Sequence, residues 1–328
     1  VGSVNLGFFN RIIIDDVMMY DQKGDSMIYA SRISAKVSLL PLLNQKISIA
    51  SAQLFGLKAN LYQQTPQSKH NFQFVLDSLA SKDTTKHTPL DLHIGSLIIR
   101  HGAVKYDKRY IASKSGVFSP AHISISDLST HIIANHITDD AINLHIKKLA
   151  FHDKSGLQLN SLSFKLDANK REASLKEFEL QLPHSDITLG DIHATYRFDN
   201  GKLVMPSLQY SGSIEQSKIT LSDIACLLPI FRHFEDAVFF ETQFTGTSTS
   251  LRCQKINFKT GSGSINLQAK GRISDWNSRP AWDVDIANLN LTEESISFIS
   301  HNLGKKINVP KEVTRIGGMH YVGHLSGH

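Results

Sequence analysis

Sixteen histidines are the first residues of this 328-residue chain that could do chemistry. Imidazole ligates metals and moves protons near neutral pH. Their placement argues for neither use. His93 lies between Leu92 and Ile94, His145 between Leu144 and Ile146, and His193 between Ile192 and Ala194. Neighbours in an extended strand point to opposite faces, so each of these histidines falls away from the apolar side. That pattern reads as a polar outer surface. One group, His320, His324 and His328, would point the same way on a strand. Gly317, Gly318, Gly323 and Gly327 oppose a helix there, and no carboxylate stands at metal-site spacing from the three. No metal and no other cofactor is expected.

The remaining reactive residues form no catalytic signature. The chain has no HExxH, no P-loop, no GxSxG and no kinase motif. Gly261-Ser262-Gly263 is turn chemistry. Asp15-Asp16 and Asp139-Asp140 fall at turns or strand ends, where carboxylates are solvated or capping. No catalytic residue is assigned, and the reading is non-enzymatic. Cys226 and Cys253 sit in no CxxC. The expectation is two free, buried thiols, with a single bridge in an oxidising compartment as the alternative. A net charge of +5 is spread thinly. Its densest spots are Lys147-Lys148, Lys305-Lys306 and Lys105 through Arg109, too short for nucleic-acid contact. A weak attraction to anionic lipid headgroups is the alternative use.

The elements that would carry these residues are set by a repeated apolar beat. Leu92, Ile94 is followed by Leu97, Ile99. Leu144, Ile146 is followed by Leu149, Phe151. Leu157, Leu159 is followed by Leu162, Phe164, Leu166, and Ile187, Leu189 by Ile192, Ala194. Each half has period 2, the mark of a strand with one buried face. The two-residue gap then shifts the parity. A flat strand would turn its second half to the wrong side, and a β-bulge or tight bend restores the facing.

The same alternation reads as strand over 1–20, 27–40 and 46–62, with Gly56 where parity changes, and again from 90 to 215. Strands resume at 237–245, 251–259, 263–274 and 281–291. Residues 109–120 read as an inserted loop. Three short helices are expected: one from Asn71 to Ala80 capped by Asn71, one after Ser222 weakened by Pro229, and one over Glu293 to Leu303 between a Thr292 cap and a Gly304 stop. No run of about 18 apolar residues exists to span a membrane as a helix. Both ends read as cut from a longer chain. The expected fold is mainly β: an elongated, curved, repetitive β-sheet groove, open and taco-like, with about three short capping helices. It is read as one β-rich region over 1–328, with a sub-boundary near 200–215.

Three helices are too few to cover some fifteen strands. Either the sheet folds on itself around a dry core, or it stays open and acyl chains or a partner supply the missing contact, at about 25 cal/mol per Å2. The candidate groove lining is Ile47, Ile49, Leu92, Ile94, Leu144, Ile146, Leu157, Leu159, Phe164, Ile187 and Leu189.

These residues resemble a known family. The run Val4 to Val17 is similar to the opening of the AsmA-like proteins, most closely the TamB branch. So are the Asp21–Gly24 turn, the stretch Ala35 to Leu43, Lys46 to Ile49, Leu54-Phe55-Gly56 and the helix at Asn71. Residues 219–303 carry a further likeness, with Ile219 to Asp223 before a helix and another helix after Leu289-Asn290-Leu291. The resemblance covers nearly the whole chain as a pattern of beats rather than a catalytic motif. It implies a Gram-negative envelope protein in the periplasm, anchored in the inner membrane through a segment not present here. It implies an apolar β-groove that shields or conducts phospholipid between inner and outer membranes, with acyl chains as the partner. The alternative it implies is a scaffold for outer-membrane protein assembly that docks a β-barrel protein. No nucleic-acid partner is expected. An enzyme or carbohydrate-binding β-protein is the third reading and lacks convergent polar groups in the sequence.

Overall fold

The computed structural model describes residues 1–8, 10–38, 48–80, 93–137, 140–302, 304 and 317–328. Ile47, Leu92, Asp139, Leu303, the Lys305-Lys306 pair and the 81–89 stretch lie outside the described residues. The chain is mainly β. It divides into two units, Val1–Asn135 with His145–Asn160, and His136–Leu144 with Ser161–His328.

The first unit holds β1 (Ser3–Gly7), β2 (Arg11–Tyr20), β3 (Ser26–Val37), β4 (Ser48–Phe55), β5 (Lys58–Gln63), β6 (His93–Ile94), β7 (Ser96–Lys108), β8 (His122–Ile137) up to Asn135, and β9 (Ala141–Asp153) from His145. The expected strand over 1–20 is a hairpin, because Asn10 takes φ 58° and turns the chain between β1 and β2. The strand over 46–62 is likewise two, broken at Gly56, which takes φ 58°. A Cβ there would sit 2.8 Å from Ser31 Oγ, so glycine is required.

β1 to β4 pair antiparallel in chain order. β4 and β5 then pair parallel with β6 and β7, which the alternation alone does not predict. Parallel neighbours need a crossover, and α1 (Gln73–Ala80) lies in that connection. The Asn71 side chain, just before this helix, accepts from the Tyr62 amide at 2.9 Å and donates to Asn60 O at 3.0 Å, fastening the crossover to β5.

The second unit contains β10 (Gln158–Asn169) from Ser161, β11 (Glu172–Gln181), β12 (Asp186–Leu189), β13 (Ile192–Thr195), the small β14 (Phe198–Asp199) and β15 (Lys202–Leu203), and β16 (Gln209–Ile219). The antiparallel run β17 (Val238–Thr247), β18 (Ser250–Thr260), β19 (Ile265–Ser274), β20 (Ala281–Thr292) and β21 (Gly318–Gly327) follows. α2 (Glu294–Asn302) agrees with the third expected helix, and Gly304 at φ 61° ends it.

The second expected helix is corrected. It is two 3-10 turns, Leu221–Ile224 and Pro229–Phe231, and Ser222 makes no cap. Pro229 has no N–H to continue an α-helix and opens the second turn instead. These turns and α2 pack through Phe231, Phe234 and Phe298, with ring centroids 6.5 and 5.8 Å apart, and Asn302 bonds Asp236 at 2.8 Å.

Among the described strands, β1 pairs only with β2 and β21 only with β20, so the sheet that contains them does not close into a barrel. Parity shifts recur along the strands. In the first unit Asp16, Gly56, His101 and Asp127 all take φ between 52° and 58°. They sit on neighbouring strands, with the Gly56 amide bonded to Arg100 O at 3.0 Å. In the second unit Glu177 at φ 52°, the Gly190-Asp191 break, and register shifts in β16, β18 and β20 do the same work. A non-glycine residue in this region costs about 1–2 kcal/mol, so these positions are held by the pairing around them.

A buried Tyr62–Asp21 bond of 2.8 Å ties β5 to the β2–β3 turn, whose Lys23 and Asp25 amides also bond Asp21. Removing that donor leaves a buried carboxylate oxygen short of a partner. Tyr62→Phe is therefore expected to lower unfolding stability by about 1–3 kcal/mol in urea titration. His101→Gly relieves the left-handed strain and is expected to raise Tm by a few degrees, whereas His101→Val lowers it. Equal melting of the two variants would contradict the role given to this bulge.

Candidate functional site

The parity shifts matter because of what they keep on one side. In the first unit one row of paired residues reads Leu6, Ile12, Ala35, Ala52, Leu97 and Ile132 across six strands. Beyond the bulges the same side continues as Met19, Ile28, Ala59, Val104 and Ile125. The opposite side carries Asp15, Arg32 and Arg100, with Arg32 paired to Asp15 at 2.7 Å.

The second unit repeats the arrangement. Phe178, Leu189, Ile214, Thr242, Ile256, Ala269, Ile286 and Gly323 form one row across eight strands. Phe240, Phe258, Leu267, Leu289 and Tyr321 form the next. Tyr210 and Trp282 lie flat over glycine gaps in this side. A Cβ on Gly246 would stand 2.3 Å from Tyr210 Cζ, and one on Gly327 2.6 Å from Trp282 Cζ2.

These apolar sides are only partly covered. Among the described residues eleven hydrophobic side chains are fully buried, and several of them are small: Ala30, Ala52, Ala121. Nearly all the row residues are half-buried. The chain exposes 20640 Å2. A compact monomer of 36.5 kDa exposes about 13,500 Å2, and two separate compact bodies of half that mass about 16,000 Å2. The excess does not depend on how the units are arranged.

Of the sequence-expected lining, Ile49, Leu144, Ile146, Leu157, Phe164, Ile187 and Leu189 are half-buried. Leu159 is the exception, closed off at 7% exposure. Leu157 stands in the turn before β10, where its carbonyl accepts from the Asp153 amide at 2.8 Å. Phe164 sits at the β10 bulge and stacks on Phe178 at 6.2 Å. The backbone of Ile94 pairs with Ile49. The richest part of the apolar side, Phe240, Ile256, Phe258 and Val284, was missing from that set. The same alternation marks it in the sequence, and its strands were read there without being counted as lining. Cys226 is buried and Cys253 half-buried.

The histidines fall mainly on the polar side. His193 is exposed, 3.9 Å from Glu172. The expectation that no carboxylate serves the C-terminal histidines is corrected. Register places Asp285 opposite His324, and the ligand atoms of Asp283, Asp285 and His324 all lie within 4.8 Å of one another. The contact is between strands, so spacing along the chain could not reveal it. These three residues are the set that could hold a divalent cation. Without one they form a charge ladder: His324 Nδ1 lies 2.8 Å from Asp285, and Lys270 3.6 Å from the same carboxylate.

A Ser–His–Asp set also meets at Ser185, His184 and Asp223, but it is not wired for attack. Ser185 Oγ donates to the carboxylate itself at 2.7 Å and is 1% exposed. A nucleophilic serine would give its proton to the imidazole.

Comparison with known proteins finds no family model, no curated protein and no solved structure that matches this chain.

The hydrogen bond from Asp285 holds His324 above the ordinary histidine value, and the same bond holds Asp285 below the ordinary carboxylate value. The raised histidine favours folding fully below its unfolded value of about 6.5 and loses that contribution as pH rises through its folded value. The depressed carboxylate does so above its unfolded value and loses it as pH falls through its folded one. Both act together only in the window between. In an NMR titration His324 should titrate above about 6.5, and Asp285→Asn should bring it down. An unchanged midpoint in that variant would refute the pairing.

Proposed function

We propose that this chain is a non-enzymatic lipid-shielding protein whose uncovered apolar sheet sides take up phospholipid acyl chains. The observation that carries the reading is the pairing register. Across six and eight strands the paired residues of one row are apolar apart from Thr242 and Gly323, and bulges recur where the strands bend. A face so built and so thinly covered needs an apolar occupant. Acyl chains fit because they have no polar group to satisfy, and covering them is worth about 0.8 kcal/mol per methylene. The resemblance to AsmA-like proteins supports the same reading, and with it a periplasmic setting between the inner and outer membranes. Among the described residues no helix is long and apolar enough to cross a membrane.

A second reading is a docking scaffold for an outer-membrane β-barrel partner. The observation in its favour is the pair of unpaired sheet edges, where Leu6 and Phe8 are 87% and 89% exposed beside β1 and Val322 is 60% exposed in β21. Such edges accept an added strand.

The two readings separate by mutation. Ile146→Asp and Val284→Lys place a charge on the apolar side, where it stays solvated in the lipid-free protein. They are expected to cut phospholipid retained in native mass spectra about tenfold or more, with His193→Asp on the polar side unchanged. Equal lipid content in wild type and both variants would overturn the acyl-chain reading. Loss of partner capture on altering β21, with lipid unaffected, would favour the scaffold.

A further inference from the structure

The first unit carries a second kind of site, on its polar side, which the acyl-chain reading does not use and on which it does not depend. Past the bulges, Lys105 of β7 pairs with Ser124 of β8, and Asp107 with His122. The loop 113–119 and the β9–β10 turn close over these residues to leave a cleft of about 490 Å3. That is a size typical of small-molecule sites.

The turn is held firmly. Asp153 accepts the Ser124 amide at 2.9 Å and the Ser155 amide at 2.8 Å, and the Lys154 amide bonds Ser124 O at 3.0 Å. The Asp153 carboxylate is thus consumed by backbone donors. The Asp107 carboxylate faces His122 Nδ1 at 2.6 Å.

Two features of the cleft have no account in the fold. His122 Nε2 and Ser155 Oγ are buried, and neither has a hydrogen-bond partner. Buried polar atoms are nearly always paired, so each unpaired one calls for an explanation. Lys105, Lys114 and Lys154 line the same cleft, and among the described residues none has an ion-pair partner. Three lysines, a hydroxyl and an imidazole nitrogen therefore line the cleft beside two carboxylates, Asp107 and Asp153, that are already engaged by His122 and by backbone amides.

We propose that this cleft is an oxyanion site that takes a phosphoryl group. Lysines supply the charge as point donors. Ser155 Oγ–H gives a directional bond to a phosphoryl oxygen. Gly116, at φ 70° with open space around it, lets the loop 113–119 turn over the ligand. The phosphoryl group is that of a lipid headgroup or of a soluble phosphate, and the chemistry of recognition is the same for both.

Isothermal titration of the whole chain with inorganic phosphate at low salt tests the site. Saturable binding at one site is expected, weakened about tenfold by Lys154→Gln and by Lys105→Gln. Lys36→Gln, an exposed lysine of β3 outside the cleft, should leave it unchanged. His122→Asn should weaken it as well, and a preserved circular dichroism spectrum separates that loss from unfolding. Competition then assigns the source. Displacement of phosphate by phosphatidylglycerol vesicles identifies a headgroup site, and displacement by glycerol 3-phosphate but not by vesicles identifies a soluble ligand. No saturable phosphate binding, or equal loss in Lys36→Gln, would overturn the proposal. Either result leaves the acyl-chain reading untouched, because that reading is tested by lipid retention on the other side of the sheet.

Discussion

A strand alternates its side chains with period 2, and a bend that adds or drops a residue reverses every side chain beyond it. The rest of this structure depends on meeting that constraint. In β2 the apolar positions change from even-numbered, Ile12 and Ile14, to odd-numbered, Val17 and Met19, across Asp16 at φ 52°. Leu97 and Ile99 hand over to Val104 and Tyr106 in β7, and Leu251 and Cys253 to Ile256 and Phe258 in β18. Asp16, His101, Asp127 and Glu177 accept left-handed backbone to make the change. Strain is spent at those points so that the apolar side stays unbroken.

An unbroken apolar side has a cost that this fold leaves unmet. The described helices pack at its ends: α2 rests on Phe234 and the 3-10 turns, and His70, before α1, bonds Tyr106 at 3.0 Å. Side chains such as Phe240, Ile256 and Val284 remain half-buried. A globular domain buries such a face against a second layer. Here the stability must come from the backbone ladder and cross-strand pairs, and the face stays available for an occupant.

The ends of the strands are secured differently. Asp21, Asp153 and Asp223 are buried carboxylates that each accept backbone amides from a turn. Such bonds satisfy donors that a turn would otherwise leave unpaired. Because the bending is confined to bulges and the turns are pinned by carboxylates, the polar side can hold a built cleft at one end while the apolar side runs on undisturbed.

The mainly β fold, the parity shifts, Gly56, Gly304 and two of the helices were legible in the sequence, since all are local: period, propensity and a glycine at positive φ act within a few residues. What the sequence did not reveal depends on which strands become neighbours. The parallel pairing of β4 and β5 with β7, the meeting of Asp283 and Asp285 with His324, the Ser185–Asp223 bond and the convergence of Lys105, Lys114 and Lys154 on His122 all join residues far apart along the chain. Spacing cannot encode such contacts, because register and crossover are chosen by the energy of the whole sheet. The sequence by itself determined that one side of every strand would be apolar. Only the tertiary structure decided which of those sides would align, strand upon strand, because register is chosen between strands and not along them.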